Sequence, residues 1–243
     1  MKLWCVKQIG RHMLYFGEQE LAAILLSLKV AIWATFLSLP FAVWIAFLLV
    51  RRRFWGREVL NALVHLPLIL PPVVTGYLLL MFFGRAGFAG QILNDYFGIT
   101  IAFQWTGAVL AAAIMAFPLV VRAVRLSIEQ INPDLEHAAL TLGARPIAVF
   151  FTITLPMALP GIVVGAILGF AKALGEFGAT ITFVGNIPNQ TQTIPSAIYG
   201  FLQMPGKDQG ALTLVFVSIV ISVTALLLSE WLARRVEKRM HGQ

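Results

Sequence analysis

Lys172 and Glu176 stand four residues apart inside the apolar run from Met157 to Val184, and they are the pair best placed to act on charge. On a helix, positions i and i+4 share a face. An unpaired charge in hydrocarbon is costly, so mutual neutralisation is the first reading. A second stays open beside it, in which the pair takes part in gating or in the passage of an anion. Thr180 and Thr182 follow the stretch from Gly175 to Gly178, where a helix is expected to break. At such a break their hydroxyls and the freed backbone N–H groups either meet an oxyanion or satisfy the local backbone. Lys29 also lies in an apolar run, with snorkelling toward the outer surface weighed against anion contact.

No catalytic set accompanies these groups. The only approach to a P-loop, Gly206-Lys207, is followed by Asp208 and lacks the upstream glycine, so ATP binding of that kind is excluded. One cysteine, Cys5, rules out a disulfide framework or a thiolate metal site within one chain, and the sequence holds no H-E-x-x-H. His65 and the methionines are read as packing. No enzymatic activity, cofactor or metal is expected.

The elements that carry these residues are long and apolar. Of 243 residues 59% are hydrophobic and 12% charged, and the mean hydropathy is +0.84. Such values describe an all-α polytopic membrane protein. The net charge of +7 does not signal nucleic acid, because the basic residues cluster at the ends of apolar runs, as topology determinants do.

Residues 1–19 read as a retained tail resting at a membrane interface, with Trp4, Tyr15 and Phe16; they do not resemble a cleaved signal peptide. Residues 20–235 form the membrane domain, and 236–243 a C-terminal tail. Five spans are expected. The first covers about Glu20 to Val50 with Pro40 inside, and the second about Val59 to Phe83, kinked by Pro67, Pro71 and Pro72. A glycine-rich outer loop, 84–101, leads to a third span from about Phe103 to Leu126. The fourth stretch is Met157 to Val184, and the last about Ala211 to Trp231. Between these two lies a polar outer segment, 185–209, with a short interfacial helix after Pro195.

Arg51, Arg52, Arg53, Arg57, Arg122, Arg125, Arg145, Arg234, Arg235, Lys238 and Arg239 fall on one side of this arrangement. Lys2, Lys7, Arg11, Arg85 and Lys207 fall on the other. The imbalance puts the N-terminus outside and the C-terminus in the cytoplasm.

That topology places Asn132 to Pro156 in the cytoplasm as a hairpin of two short helices. Asn132 is an N-cap, Pro133, Asp134 and Glu136 fill a first turn, Gly143 ends the helix and Pro146 opens the next. Each piece is about 9 residues, or ~14 Å, too short to cross a bilayer core of ~30 Å. Leu135, Ala138, Ala139 and Leu142 form one apolar stripe for a partner. Downstream, Gly161, Gly165 and Gly169 form a small-xxx-small repeat that admits a neighbouring helix backbone, either within one subunit or across a dimer.

The run Ala138-Ala139, Gly143, then Ile153, Leu155 and Pro156 resembles the coupling loop of bacterial ABC importer permeases, which docks in a groove of a separate ATPase subunit. The family pattern has glutamate where this chain has His137, and here Glu136 lies one residue earlier. The likeness extends over about 20–235. HLPLILPPVVTGYLLL (65–80), FPLVVRAVRL (117–126), FFTITLP (150–156) and LGEFGATITFVGNIP (174–188) are similar to the molybdate permeases of Gram-negative bacteria, and more loosely to sulfate and thiosulfate permeases.

The resemblance implies a type I importer fold and coupling through Glu136, His137, Ala138, Ala139, Leu142 and Gly143. It implies a periplasmic oxyanion-binding protein and two ATPase subunits as partners, in the inner membrane and in contact with lipid. Five spans are few to enclose a pathway, so a second copy of the chain is expected across a two-fold axis. Molybdate is the expected substrate, with tungstate, sulfate or thiosulfate as alternatives. An ATP-independent secondary transporter or channel is the alternative from another class, although no inverted repeat or chain of intramembrane carboxylates supports it.

Overall fold

The computed structural model describes residues 17–240, so the expectations for Trp4, Tyr15 and Phe16 lie outside the described residues. Eleven α-helices and one π-helical turn follow, with no strand among the described residues. Helix α1 is Glu18–Arg51, α2 Arg57–Ile69, α3 Pro72–Phe83, α4 Phe88–Phe97, α5 Trp105–Glu129, α6 Pro133–Thr141 and α7 Pro146–Val149. The π turn Phe150–Thr154 leads into α8, Leu155–Leu174, followed by α9 Gly178–Val184, α10 Ile194–Leu202 and α11 Asp208–Met240.

Helices α1, α5 and α8 form the centre, packed on one another along their lengths. The seam is built from small residues: Ala31 and Ala34 of α1 pack with Ala108, Ala111, Ala112 and Ala116 of α5, and Ala42 and Ala46 continue it toward Val120 and Val124, these alanines all fully buried. With no hydrophobic drive between helices in lipid, close backbone approach and dispersion hold such a seam. Toward the Arg51 end the residues grow, with Leu49, Val120, Val121, Val124 and Ile128 filling the core. At the other end α10 is fastened to α1 by Ser27, whose hydroxyl accepts the N–H of Ile194 at 2.7 Å. Outward faces remain apolar, as contact with lipid requires: Phe36, Phe41 and Trp44 of α1 and Leu226 and Leu227 of α11 are exposed.

Four helices are long and apolar enough to cross a membrane, and five spans result if α2 and α3 count as one. That pair corrects the expectation of a single kinked helix, because its halves meet at 114°. Leu70 and Pro71 are both extended (ψ 142 and 133). Each precedes a proline, which disfavours the helical conformation, and neither Pro71 nor Pro72 has an N–H to continue the ladder. The loop 84–101 contains a helix, α4, where only turns were expected. The final helix runs on to Met240, through most of the expected C-terminal tail, and α1 takes in Glu18 and Gln19.

The second helix of the expected hairpin is also corrected. Four residues of α7 pass through the π turn directly into α8, so Pro146 opens a spanning helix and α6 is the one free-standing short helix of the stretch. The π turn precedes Pro156, and widening the helix there accommodates a ring with no N–H to donate. The expected break near Glu176 is present, with α8 ending at Leu174 and α9 starting at Gly178.

Candidate functional site

Helix α6 starts as its sequence requires. The Asn132 side chain accepts the N–H of Asp134 at 3.0 Å, and Pro133 occupies the first position, where no N–H is needed. It ends at Gly143, whose φ of +89 is a conformation that side chains with a Cβ disfavour. Leu135, Leu140 and Leu142 are exposed, Leu142 almost completely at 88%. His137 and Ala138 are exposed beside them, and Ala139 is half-buried. The structure thus gathers His137, Ala138 and Leu142 on an open surface next to the Gly143 turn.

Glu136 is set apart from these. It is the one buried residue of α6, turned away from the open surface and into the molecule. Its carboxylate receives the Arg51 Nε at 3.0 and 3.2 Å, and the Thr154 hydroxyl donates to it at 2.7 Å. Arg51 is the last residue of α1, and its Nη2 also donates to the carbonyl oxygens of Ile131 at 2.9 Å and Ile128 at 3.3 Å. These two residues bracket the end of α5, where carbonyls lack helical partners. A cavity of about 310 Å³ separates α6 from the bundle beside this cluster, lined in part by Phe47, Arg52, Leu140 and Phe150. Sequence reasoning read Arg51 as a topology signal and missed this role, since its partner lies 85 residues away and no local pattern links them.

The second group sits at the break between α8 and α9. Lys172 Nζ donates to Glu176 Oε2 at 2.8 Å, and Glu176 Oε1 accepts the backbone N–H of Ala179 at 3.0 Å. Glu176 is 2% exposed, so one buried carboxylate neutralises the lysine and takes up an N–H that the first turn of α9 leaves free. Thr180 Oγ1 donates to the carbonyls of Phe177 (2.9 Å) and Glu176 (3.2 Å), and Thr182 Oγ1 donates to that of Gly178 (2.8 Å). Both hydroxyl protons are thereby committed to the chain's own backbone.

Helix α9 crosses α3 so closely that a Cβ on Gly76 would lie 2.5 Å from the carbonyl oxygen of Ala179, and one on Gly178 would lie 2.6 Å from Pro72 Cβ. Gly76 was not legible as a contact, because its partner appears only once α9 folds back. Lys29 Nζ stands 3.5 Å above the ring centre of Trp105, a cation–π contact at the start of α5. The glycine repeat meets neighbours within the chain. Gly161 abuts Ser127, Gly165 faces Val120 and Ala123, and Gly169 faces Val120, all on α5. Among the described residues no cluster of three or more metal-ligating side chains occurs.

The family model described as binding-protein-dependent transport system inner membrane component matches residues 38–241. The chain is 58% identical over 222 residues, covering 91% of this chain and 97% of the relative, to the Molybdenum transport system permease protein ModB of Escherichia coli (strain K12). It is 36% identical over 212 residues, covering 87% of this chain and 75% of the relative, to the Sulfate transport system permease protein CysT of Salmonella typhimurium. Among solved structures, a bacterial ABC transporter involved in the import of the acidic polysaccharide alginate superposes with a TM-score of 0.73 at 20% identity, covering 95% of this chain and 89% of that chain, a likeness of fold. The chain belongs to the family of binding-protein-dependent transport system inner membrane components.

Proposed function

We propose that this chain is the membrane-spanning permease subunit of an ABC importer for molybdate, energised by ATP hydrolysed on a separate subunit. The observation that carries the substrate is the 58% identity, over nearly the whole of both chains, to a molybdenum permease, against 36% to a sulfate permease. A tetrahedral dianion is the shared chemistry of the two.

Two copies about a two-fold axis enclose the pathway, since a closed symmetric pair is the simplest assembly that completes it. Helix α6 presents His137, Ala138, Ala139 and Leu142 to a groove on each ATPase subunit, and Gly143 lets the chain turn away beneath it. A periplasmic binding protein delivers the anion at the opposite face. The N-terminus is periplasmic, the C-terminus cytoplasmic, and α1 and α11 meet lipid. Closure of the ATPase pair draws the two copies of α6 together and alternates access to the pathway. The Lys172–Glu176 pair fixes the α8–α9 break, which sets α9 closely against α3. The chain itself makes and breaks no covalent bond.

Uptake into vesicles by the purified complex with its binding protein, comparing molybdate, tungstate and sulfate, tests the substrate. ATP-dependent molybdate uptake is expected; sulfate uptake without molybdate uptake overturns the assignment. Co-purification of an ATPase subunit tests the class. Uptake that persists when Gly143 is replaced by tryptophan, or without ATP, refutes coupling through α6.

A further inference from the structure

We propose that Arg51 is a positioning residue for energy coupling, the pin through which a displacement of α6 reaches the rest of the molecule; this rests on the reading of α6 as the coupling helix. Leu135 and Leu142 are exposed, the one buried side chain of α6 is a carboxylate, and its main packing contacts are with α7 and the π turn. A cavity of about 310 Å³ lies beside it, lined by Phe47 and Arg51 of α1 and by Leu140 of α6. A polar contact centred on one guanidinium reaches α1 and α5.

That guanidinium joins three elements. Nε holds Glu136 of α6, Nη2 holds the carbonyls of Ile128 and Ile131 at the end of α5, and the side chain itself is the last of α1. Thr154 adds a fourth by donating from the π turn into the same carboxylate, so α8 is tied in at its root. A guanidinium is planar, with donors in fixed directions, so bonds at both of its edges transmit orientation as well as position. An ammonium offers charge without that fork. An apolar contact of similar area would let the helices slide, whereas these bonds confine the motion of α6 to one that α1, α5 and α8 share.

The test uses the full complex with its ATPase subunits and binding protein in vesicles, measuring molybdate moved per ATP hydrolysed. Arg51→Ala is expected to lower that ratio on the order of tenfold, within the range of a typical coupling between sites. Arg51→Lys is expected to recover only part of it, and Thr154→Val to lower it by less. Arg52→Ala removes a neighbouring charge that makes no bond to Glu136 and is expected to leave the ratio unchanged. A ratio unchanged in Arg51→Ala overturns the proposal, as does a loss of hydrolysis and transport in equal proportion. If Arg51→Ala does not assemble, Arg51→Lys and Thr154→Val decide: a wild-type ratio in both overturns it. Failure of the wild-type complex to hold an ATPase subunit is a separate result, and it removes the coupling-helix reading itself.

Discussion

Lys172, in the last turn of α8, and Glu176, just past its end, meet at 2.8 Å, and the same carboxylate closes the first turn of the next helix through Ala179. The pair is therefore a joint between α8 and α9 as much as an ion pair. Lys172→Met leaves a carboxylate that is 2% exposed without its counter-charge, and Glu176→Ala leaves both the lysine and the Ala179 N–H unmatched. Each single change is expected to cost about 2 kcal/mol, less than a wholly buried pair because the lysine side chain is 31% exposed. The double variant Lys172→Met with Glu176→Ala is expected to lose less than the sum of the two. Denaturation of the purified protein in detergent, arranged as a double-mutant cycle, measures this; strict additivity would show that the contact contributes nothing.

The three glycines of α8 rank by what an added methyl group meets. At Gly161 it strikes Ser127 and comes within 2.9 Å of the Ala123 carbonyl oxygen, at Gly169 it comes within 2.7 Å of a Val120 methyl, and at Gly165 nothing is closer than 3.3 Å. Gly161→Ala is expected to destabilise by about 1–3 kcal/mol, as overpacking does, Gly169→Ala by less, and Gly165→Ala least. Thermal unfolding of the three variants checks the order. An equal effect at all three would mean the repeat serves some contact other than α5.

At α6 the expected effects are local. Asn132→Ala removes the cap on the Asp134 N–H and is expected to cost the helix about 1 kcal/mol. Gly143→Ala meets no atom within 4 Å but forces a Cβ into a φ of +89, a cost of about 1–2 kcal/mol. Hydrogen exchange over 133–141 should accelerate roughly fivefold for a loss of about 1 kcal/mol. Protection of α5 and α8 should not change, because α6 contributes little to their packing. Global loss of protection would show α6 to be part of the core.

Lys29 above Trp105 is a contact that one substitution at a time can grade. Trp105→Leu is expected to lower stability by about 1 kcal/mol, and Trp105→Phe by less, because the indole face is the strongest partner for a cation. The same two changes made together with Lys29→Met should converge on one value. If they do not, the tryptophan acts by packing and not through the lysine.

Much of the chain was legible locally. The count of spans, the cap at Asn132, the turn at Gly143 and the break between Leu174 and Gly178 each depend on residues a few positions apart, where proline, glycine and capping side chains act directly on the backbone. The Lys172–Glu176 pair was legible from its spacing, although Glu176 lies just past the end of α8 and meets Lys172 from the break. The sharp turn at Pro71 was foreseen only as a kink, because its angle depends on what α2 and α3 pack against.

Tertiary structure decided the rest. It set Gly161, Gly165 and Gly169 against Ser127, Val120 and Ala123 of α5, partners the repeat itself does not name. It joined α7 to α8, placed Gly76 against α9, and turned Glu136 inward while leaving His137, Ala138 and Leu142 exposed. Arg51 is the clearest case. In the sequence it is one of four arginines after an apolar run, and their charge sets topology without distinguishing among them. Only the fold, by bringing the ends of α1 and α5 beside α6, gives this arginine a carboxylate and two helix-end carbonyls to hold.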